Sequence, residues 1–542
     1  MRRASLIVCA ALAVSPLFAQ LSYQRLLRAE SEPENWLTYS GVYKGWRYSA
    51  LDQINRQNVG NLKVAWVYQM ATTHRIETTP IVVNGVMYVT EPPSNVIALD
   101  AATGRPFWRY KRSLPSKINI CCDQVNRGVA VLDDRVFVGT VDAHMVALSA
   151  KTGSVLWDVA VADNRQGYSI TGAPLVVKDM VITGIAGGEY GIRGFLDAYD
   201  VKTGKRRWRF YTIPGTGEKG NETWGSGEAW KRGGGPTWVT GSYDAELNLI
   251  VWGTGNPSPD WNADVRPGDN LYSDSAVALD ADTGALRWHF QFVPHDGNDW
   301  DAVQVPVLVD GDWRGSPRKL VYWAHRGGFF YVLDRGTGEF LFGKPFVKQT
   351  WAKGLDDRGR PDRIPGSMPT EEGVYVWPGV QGGTNWYSPS YSPLTGLFYL
   401  SVWESKGLYL KGEAKYTAGN RYPGSVPDID VADDPGYGAI RALNPKTGAK
   451  VWEFKMQTKP WSGVLSTAGG LVFAASGGWI SRGREDMEND FYALDAENGK
   501  ELWRINLGGT MASNAITYSI GGKQMVTMAA GGGLFTFALP GN

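Results

Sequence analysis

Two neighbouring cysteines offer the most distinctive chemistry in this sequence. Cys121 and Cys122 open the run Cys-Cys-Asp-Gln-Val-Asn-Arg-Gly. In an oxidising compartment, adjacent cysteines can close a strained eight-membered disulfide ring. Metal binding by the pair is disfavoured, because two neighbouring side chains rarely reach one ion well and the sequence has no second cysteine pair. Two free thiols are the alternative that the sequence leaves open.

Three other runs carry oxygen ligands. Glu189 lies in Gly-Gly-Glu-Tyr-Gly-Ile-Arg-Gly, Asn256 in Gly-Thr-Gly-Asn-Pro, and Asp301 ends His-Asp-Gly-Asn-Asp-Trp-Asp. Carboxylate and amide oxygens suit Ca²⁺ if the fold brings them together. Each side chain has a plainer alternative, which is to cap a turn of its own loop. The glycine-rich run around Glu189 is not a phosphate loop, because it lacks the Gly-Lys-Ser/Thr ending.

A repeated hairpin must position these side chains. In residues 278–288 an apolar strand end leads to Asp, then Thr-Gly, with Trp288 four residues after the Gly. The Gly accepts a positive φ, Asp and Thr satisfy the turn, and the aromatic packs against the next unit. Phe342 replaces the tryptophan in one copy, and residues 62–66 resemble the second half of another. The predicted aromatic anchors are Trp66, Trp108, Trp157, Trp208, Trp288, Phe342, Trp452 and Trp503.

The spacing of these anchors predicts the fold class. Most intervals are roughly 40–55 residues, which is typical of propeller blades. Eight anchors therefore predict an all-β, eight-bladed β-propeller of four-stranded antiparallel blades, with residues 21–542 forming one domain. The two longer intervals must hold insertions or a degenerate copy, and we expect residues 214–235, 344–383 and 404–438 to roof one face. A two-sheet β-protein with tryptophans in its core is the alternative.

The first residues predict export. Arg2 and Arg3 precede an apolar stretch, residues 6–14, that is too short to span a bilayer, and residues 16–19 suit cleavage. We therefore interpret residues 1–20 as a signal peptide and expect a periplasmic or secreted protein without a membrane span. The formal net charge of +1 gives no reason to expect binding to nucleic acid.

Together, the cysteine run, the Gly-Gly-Glu run and the Gly-Thr-Gly-Asn-Pro run, in this order, resemble the quinoprotein alcohol dehydrogenases. The resemblance covers nearly the whole mature chain and is strongest to the large subunits of the soluble methanol and ethanol dehydrogenases. Those proteins are eight-bladed propellers that hold pyrroloquinoline quinone (PQQ) and a metal ion near the ring axis. The repeated hairpins resemble their tryptophan-docking motifs. Fold alone would imply little about function.

The resemblance implies a role for each matching residue. Cys121 and Cys122 would form a disulfide against one face of the quinone, and Trp238 would cover the other face. Arg326 would lie at the reactive quinone oxygens. The further implied cofactor contacts are Glu77, Arg127, Thr171, Gly187, Gly188, Thr237, Asn385, Trp386 and Trp461.

The same resemblance implies the metal ligands and the base. Glu189, Asn256 and Asp301 would hold the ion, and Asp301 would also act as catalytic base, with Arg326 stabilising charge on the quinone. Relatives that use a lanthanide carry an additional Asp two residues after the base. Val303 occupies that position here, so the sequence favours Ca²⁺ over a lanthanide.

The expected reaction is oxidation of a primary or secondary alcohol to an aldehyde or ketone by hydride transfer to PQQ. The resemblance implies a soluble cytochrome c as the electron acceptor. A fused c-type haem domain is not expected, because the sequence has no Cys-x-x-Cys-His run. A homodimer is left open. The alternatives are a quinoprotein acting on a sugar, polyol or polymeric alcohol, and a non-catalytic propeller scaffold. The charged run 477–490 is interpreted as a solvated loop or a partner-docking loop.

Overall fold

The computed structural model describes residues 21–425, 434–477 and 488–541. The predicted signal peptide and most of the charged run 477–490 lie outside these residues. Within the described ranges, none of the helices has both the length and the apolar character needed to cross a membrane. Strands dominate the described chain.

The predicted eight-bladed propeller is confirmed, with eight antiparallel sheets of four principal strands each. Strands are given in order from the axis outward. Blade 1 consists of Ile81–Val83, Val86–Glu91, Asn95–Asp100 and Pro106–Tyr110, and blade 2 of Ala130–Leu132, Arg135–Gly139, His144–Ser149 and Val155–Ala160. Blade 3 consists of Leu175–Val177, Met180–Gly184, Phe195–Asp200 and Arg206–Tyr211, and blade 4 of Ser242–Asp244, Leu249–Gly253, Ser275–Asp280 and Leu286–Gln291. The strands of blades 5 to 7 are Val307–Trp313, Ser316–Ala324, Phe329–Asp334 and Phe340–Pro345; Ser390–Ser392, Leu397–Glu404, Tyr437–Asn444 and Ala449–Met456; Leu465–Thr467, Leu471–Ala475, Asp490–Asp495 and Glu501–Asn506.

Blade 8 closes the ring by joining the two ends of the chain. Its three inner strands are Ile516–Ile520, Lys523–Ala530 and Gly533–Ala538, and its outer strand is Lys63–Gln69. The outer strand runs antiparallel to its neighbour, with Lys63 opposite Ala538. The half-copy predicted at residues 62–66 is therefore the outer strand of the last blade. Because the ring is closed, no blade lies at an exposed end of the array.

The remaining elements are short. Tyr48–Ser49 pairs in parallel with the inner strand of blade 7. Two ribbons lie outside the blades. Ala352–Leu355 pairs with Pro361–Arg363 in the connection between blades 5 and 6, and Val374–Val376 of that connection pairs with Gly407–Tyr409, which lies between the second and third strands of blade 6. The helical turns are the α-helix Tyr23–Leu27 and the 3₁₀ turns Ala29–Ser31, Val59–Asn61, Asn164–Gln166, Gly188–Tyr190, Asn221–Trp224, Ala229–Arg232 and Ala263–Val265.

Six of the docking tryptophans lie on the turn glycine of the next blade, whereas Trp503 packs edge-on against Phe537 of blade 8. Trp208 donates its indole N–H to Ala281 O at 3.1 Å, and a Cβ placed on Gly284 would come within 2.6 Å of its ring. Gly284 also has a φ of +70°, so the turn and the tryptophan both require glycine. The same indole hydrogen bond joins Trp66 to Ala101, Trp108 to Ala150, Trp157 to Val201, Trp288 to Arg335 and Trp452 to Ala496.

Phe342 preserves the packing at its junction but not the hydrogen bond. Its ring would lie 3.0 Å from a Cβ on Gly448, the turn glycine of the next blade. Phenylalanine has no N–H to donate across the junction. The contact between blades 5 and 6 therefore depends on apolar packing alone at this position.

We predict that Gly284→Ala destabilises the protein more than Gly396→Ala does. Gly284 and Gly396 have nearly equal φ values, +70° and +68°, but a Cβ on Gly396 would meet no atom within 4 Å. Both variants incur the left-handed backbone cost of roughly 1–2 kcal/mol, and only Gly284→Ala adds overpacking against Trp208, which costs about 1–3 kcal/mol. Urea unfolding followed by tryptophan fluorescence measures the difference. Equal losses would contradict the docking role of Gly284.

Candidate active site

The topology brings the predicted cofactor residues to one end of the ring axis. Each lies in the segment that enters the innermost strand of a different blade: Glu77 for blade 1, Arg127 for blade 2, Thr171 for blade 3, Trp238 for blade 4 and Asp301 for blade 5. These segments contact their neighbours, since Thr79 N donates to Arg127 O and Arg127 N donates to Thr171 O. Innermost strands that run the same way around a ring deliver their preceding loops to one face.

The same face also holds Glu189, Asn256 and Arg326, although these residues follow a strand instead of preceding one. They follow the second strands of blades 3, 4 and 5, which end at Gly184, Gly253 and Ala324. A second strand is antiparallel to the first, so its last residue lies where the first strand begins. The site therefore draws on two loops per blade in this part of the ring.

Arg127 is the centre of one group of side chains. Its Nη2 lies 2.6 Å from Glu77 Oε2, and its Nη1 donates to Thr171 Oγ1 at 3.0 Å. The guanidinium lies over the rings of Trp238 and Trp386, at 4.7 and 4.6 Å from their centroids. Its buried Nε has no hydrogen-bond partner among the described residues. This cation, enclosed by flat apolar rings, can bind a planar anion.

Asp301 is the centre of a second group. Its Oδ2 pairs with Arg326 Nη1, and its Oδ1 accepts from Asn256 N at 3.0 Å and from Trp238 Nε1 at 3.4 Å. Arg326 also donates to Val380 O, through Nε at 3.0 Å and Nη2 at 2.7 Å. Both charged side chains are about 6% exposed. The carboxylate is thus held by donors from three different loops.

Cys121 and Cys122 form a disulfide, which confirms the predicted ring and makes the free-thiol alternative wrong. Cys122 Sγ lies 3.7 Å from Glu189 Oε1, so the disulfide lies against the proposed metal ligand. The three side chains are close enough to hold an ion, but disulfide sulfurs lack the thiolate charge that metal binding by cysteine requires.

The long connection between the second and third strands of blade 6 covers this region. Tyr422 N donates to Glu189 O, and Arg421 Nη2 lies 3.8 Å from Cys121 Sγ. Residues 404–425 therefore pass over the disulfide and the Glu189 loop, as the predicted roof requires. Sequence analysis placed the loop correctly but gave no reason to single out Arg421.

Other predicted contacts have their polar groups engaged within the protein. Thr237 donates its hydroxyl to Phe195 O at 2.7 Å and accepts from Ile185 N at 2.9 Å. Asn385 donates to Gln381 O at 3.1 Å, and its Oδ1 accepts from Trp386 N. Trp461 lies 5.3 Å from the Arg75 guanidinium, beside the Arg127 group.

Gly187 and Gly188 lie where the blade 3 loop turns toward Glu189. Gly187 has a φ of +122°, and a Cβ there would come within 2.2 Å of Gly167 O. A Cβ on Gly188 would approach Pro236 at 3.2 Å and Asn256 Oδ1 at 3.7 Å. The second glycine thus lets the Glu189 loop lie against the Asn256 loop.

Two further carboxylates that were not predicted from the sequence join the site, the partly buried Asp299 and the buried Asp260. Asp299 Oδ2 lies 3.4 Å from Arg326 Nη2, so Asp299 and Asp301 flank one guanidinium. Asp260, 1% exposed, accepts from Asn256 Nδ2 at 2.8 Å through its Oδ1. The sequence could have identified these two residues only by their closeness to predicted ligands, since Asp299 lies two residues before Asp301 and Asp260 lies four residues after Asn256.

Val303 is buried in an apolar cluster that includes Trp386, Tyr387 and Trp461, and Trp238, which donates to Asp301, packs against the same cluster. Asp299, two residues before Asp301, is a further carboxylate beside Arg326. The preference for Ca²⁺ inferred from Val303 stays a prediction.

Burial shifts the acidity of this cluster. It raises the pKa of the Asp301 carboxyl, and the nearby Arg326 guanidinium opposes that rise. Burial likewise raises the pKa of Glu189 and raises those of Asp260 and Asp299 well above the ordinary value. The carboxylates also raise one another's pKa by mutual repulsion. A cation among them would reverse these shifts.

Comparison with known proteins identifies the family. Residues 36–354 match the family described as PQQ, glucose/ethanol/alcohol dehydrogenase, beta-propeller domain, and residues 436–538 match that of outer membrane protein assembly factor BamB. Quinoprotein alcohol dehydrogenase PedH of Pseudomonas putida is 38% identical over 562 aligned residues, covering 98% of this chain and 91% of PedH. This chain belongs to the quinoprotein alcohol dehydrogenases.

Two solved structures place these relatives on the same fold. Quinohemoprotein alcohol dehydrogenase ADHIIG of Pseudomonas putida HK5 matches with a TM-score of 0.88 and 36% identity, over 97% of this chain and 83% of that one. A europium-containing methanol dehydrogenase matches with a TM-score of 0.88 and 35% identity, over 95% of this chain and 100% of that one. This quinoprotein is therefore an enzyme of the PQQ-dependent alcohol dehydrogenase type.

The residues present fit PQQ. A flat anionic cofactor needs planar apolar surfaces and cationic donors, and the Arg127 group has both, including a buried Nε without a hydrogen-bond partner in the described chain. Asp301 and Arg326 lie next to this group, because Trp238 contacts both Arg127 and Asp301. The cofactor contacts and the proposed base thus share one tryptophan.

We predict that Arg326→Ala destabilises the cofactor-free and metal-free protein by about 3–5 kcal/mol, because it leaves Asp299 and Asp301 without their counter-charge in a buried site. Urea unfolding measures the loss. Arg165→Ala is the control, since Arg165 pairs with Asp163 but is 90% exposed, and it should leave the unfolding midpoint nearly unchanged. Equal midpoints for both variants would show that the Arg326 pairs do not stabilise the fold.

Proposed function

We propose that this quinoprotein oxidises a primary or secondary alcohol, with Asp301 as the catalytic base. One observation supports this assignment above the others: a buried carboxylate is oriented by Arg326, Asn256 N and Trp238 Nε1 beside the group that suits PQQ. A general base must be held in place and must keep a pKa suited to accepting a proton. Asp301 meets both requirements.

PQQ would be held by the Arg127 group and between the Cys121–Cys122 disulfide and Trp238. Arg127, Thr171 and Glu77 would supply its polar contacts. When bound, the cofactor supplies the acceptor for the hydride that leaves the alcohol carbon. The protein's contribution is to orient the planar ring and to exclude water around it.

Asp301 would receive the hydroxyl proton as the alcohol carbon loses its hydride, which yields the aldehyde or ketone. Burial raises the pKa of Asp301, which strengthens the carboxylate as a base, while Arg326 favours the ionised form. Arg326 also fixes the direction of Oδ2, which leaves little freedom for the carboxylate to rotate. These two residues therefore keep the proton acceptor charged and aligned.

A metal ion would be held by Glu189, Asn256 and Asp301 and would act as a Lewis acid. Sequence analysis favours Ca²⁺. The position of Asp299 beside Arg326 is a specific reason to test a lanthanide as the second candidate, because it adds a carboxylate to a site that already has several. The europium-containing methanol dehydrogenase shows that one similar structure contains a lanthanide.

The electron acceptor and the compartment complete the proposal. We propose a soluble cytochrome c as acceptor and export to the periplasm or beyond, supported by the signal-like pattern of residues 1–20. A disulfide is also more typical of an exported protein than of a cytosolic one. The scaffold alternative gives no reason for the Arg127 and Asp301 groups to lie side by side.

We predict that Asp301→Asn lowers kcat by about 10²–10⁴-fold, because the amide cannot accept the hydroxyl proton. Asp299→Asn should lower kcat less, and Asp264→Asn, at an exposed acid in the connection between the second and third strands of blade 4, should leave it unchanged. Dye-linked oxidation across simple alcohols, polyols and aldoses measures turnover after PQQ and metal are added. PQQ absorbance checks cofactor binding separately. A larger loss for Asp299→Asn would assign the base to Asp299.

We predict that chelation abolishes dye-linked activity and that one class of cation restores it to the PQQ-loaded protein. Recovery with micromolar or higher Ca²⁺ alone would support the expectation from the sequence. Recovery with La³⁺ at lower concentration would support the lanthanide candidate. Full activity in the chelated protein would contradict a role for any metal at this site.

A further inference from the structure

We infer that Asp260 is a further residue of the metal site, which orients the ligand Asn256 and raises the site's affinity for a trivalent cation relative to a divalent one. The inference rests on the proposed function, because it assumes that Glu189, Asn256 and Asp301 hold a cation. It adds a residue that neither the resemblance nor the sequence motifs single out. The geometry around Asn256, the burial of Asp260 and the local charge each support it.

Asp260 fixes the orientation of the Asn256 amide. Asp260 Oδ1 accepts from Asn256 Nδ2 at 2.8 Å, and the same Nδ2 lies 3.3 Å from Pro257 O. An ionised carboxylate only accepts hydrogen bonds, so the Asn256 amide atom that faces Asp260 must be the donor, Nδ2. Asn256 Oδ1 therefore points away from Asp260. Asn256 Oδ1 is the atom that could bind a hard cation.

The second oxygen of Asp260 is an unusual buried atom. Asp260 is 1% exposed, and its Oδ2 has no hydrogen-bond partner among the described residues. Burying a carboxylate oxygen without a partner is costly, and native proteins rarely leave one so. The nearby buried arginine, Arg266, directs its donors to Pro259 O, Asp296 O and Asn270 Oδ1 instead. A cation held at the Asn256 loop would balance Asp260.

The loop that carries Asp260 is held firmly against the loop that carries Glu189. Ser258 Oγ donates to Gly188 O, and Ser258 N donates to Gly233 O at 3.1 Å. Asn256 O accepts from Gly235 N at 2.9 Å. These bonds keep Asp260 at a constant distance from Glu189, so its charge acts on any ion that Glu189 binds.

Charge is the reason for this effect on relative affinity. The described site holds four carboxylates, Glu189, Asp260, Asp299 and Asp301, with Arg326 as the cation paired to two of them. Four negative charges less the positive charges of Arg326 and of Arg421 in the roof leave two, before the charge of a cofactor is counted. Each carboxylate attracts a trivalent ion more strongly than a divalent one in proportion to the ion's charge. Asp260 therefore adds to the difference in affinity between the two ions.

Terbium binding tests the inference without relying on turnover. PQQ-loaded, chelated wild-type protein, Asp260→Asn and Asp264→Asn are titrated with Tb³⁺ and read by tryptophan-sensitised luminescence, and Ca²⁺ competition gives its affinity. Asp264 is the matched control, because it lies in the same connection as Asp260 but is 69% exposed and pairs with Lys411. We expect Asp260→Asn to lower the ratio of Tb³⁺ to Ca²⁺ affinity by about tenfold or more, and Asp264→Asn to leave the ratio unchanged.

The possible failures are distinguishable. Wild-type protein that binds PQQ but neither ion would overturn the proposed metal site and this inference with it. If wild-type protein binds Tb³⁺ and the Asp260→Asn variant has the same ratio of Tb³⁺ to Ca²⁺ affinity, this inference alone is overturned. A nonspecific surface effect would appear as an equal loss in Asp264→Asn and would also overturn it.

Thermal unfolding gives a second readout and checks the fold of the variant. Asp260→Asn removes a buried charge, so the metal-free variant should unfold at the same or a higher temperature than metal-free wild type. Saturating Tb³⁺ should then raise its unfolding temperature less than that of wild type. A variant with lower metal-free stability and an undiminished shift with Tb³⁺ would contradict the inference, since Asp260 would then be a structural residue. Asp260→Ser offers a smaller uncharged replacement with the same expected result.

Discussion

The packing of seven of the eight outer-strand aromatic rings on the turn glycine of the next blade is the contact on which the rest of the structure depends. It sets the angle between neighbouring blades, because the ring and the glycine backbone leave no space for a side chain between them. Six indole hydrogen bonds join blade to blade at nearly the same geometry. The eighth junction is different, because Trp503 packs on Phe537 of blade 8, and the ring closes only when the N-terminal strand Lys63–Gln69 completes that blade. These junctions determine where the loops near the ring axis lie.

The active-site chemistry follows from that closure. Loops that enter innermost strands and loops that leave second strands meet at one end of the axis, so residues far apart in sequence become neighbours. Asp301 and Arg326 are held by loops from blades 4, 5 and 6, and Arg127 by loops from blades 1 to 4 and 6. Trp238 joins the two groups, since it stacks on one cation and donates to one carboxylate. A cofactor between them would contact a charged and an apolar surface at once.

The excess of carboxylates explains the raised pKa values of the cluster and suits the proposed metal binding. Burial and mutual repulsion raise the pKa of Glu189, Asp260, Asp299 and Asp301 together. One arginine cannot neutralise them all, so a bound cation would stabilise the folded protein as well as the reaction. The roof loop adds Arg421 near the disulfide, where it contributes positive charge at the edge of the same cluster.

The sequence by itself determined the eightfold repeat, the aromatic anchors and the family motifs, because these depend on local spacing and on glycine turns with one allowed geometry. It also indicated the disulfide, since two adjacent cysteines have few partners to choose from. Only the tertiary structure decided how charge is distributed around the site. Asp260 and Asp299 look like ordinary loop acids in the sequence. Their true surroundings depend on loops from other blades, and no local pattern records which side chains those loops will bring together.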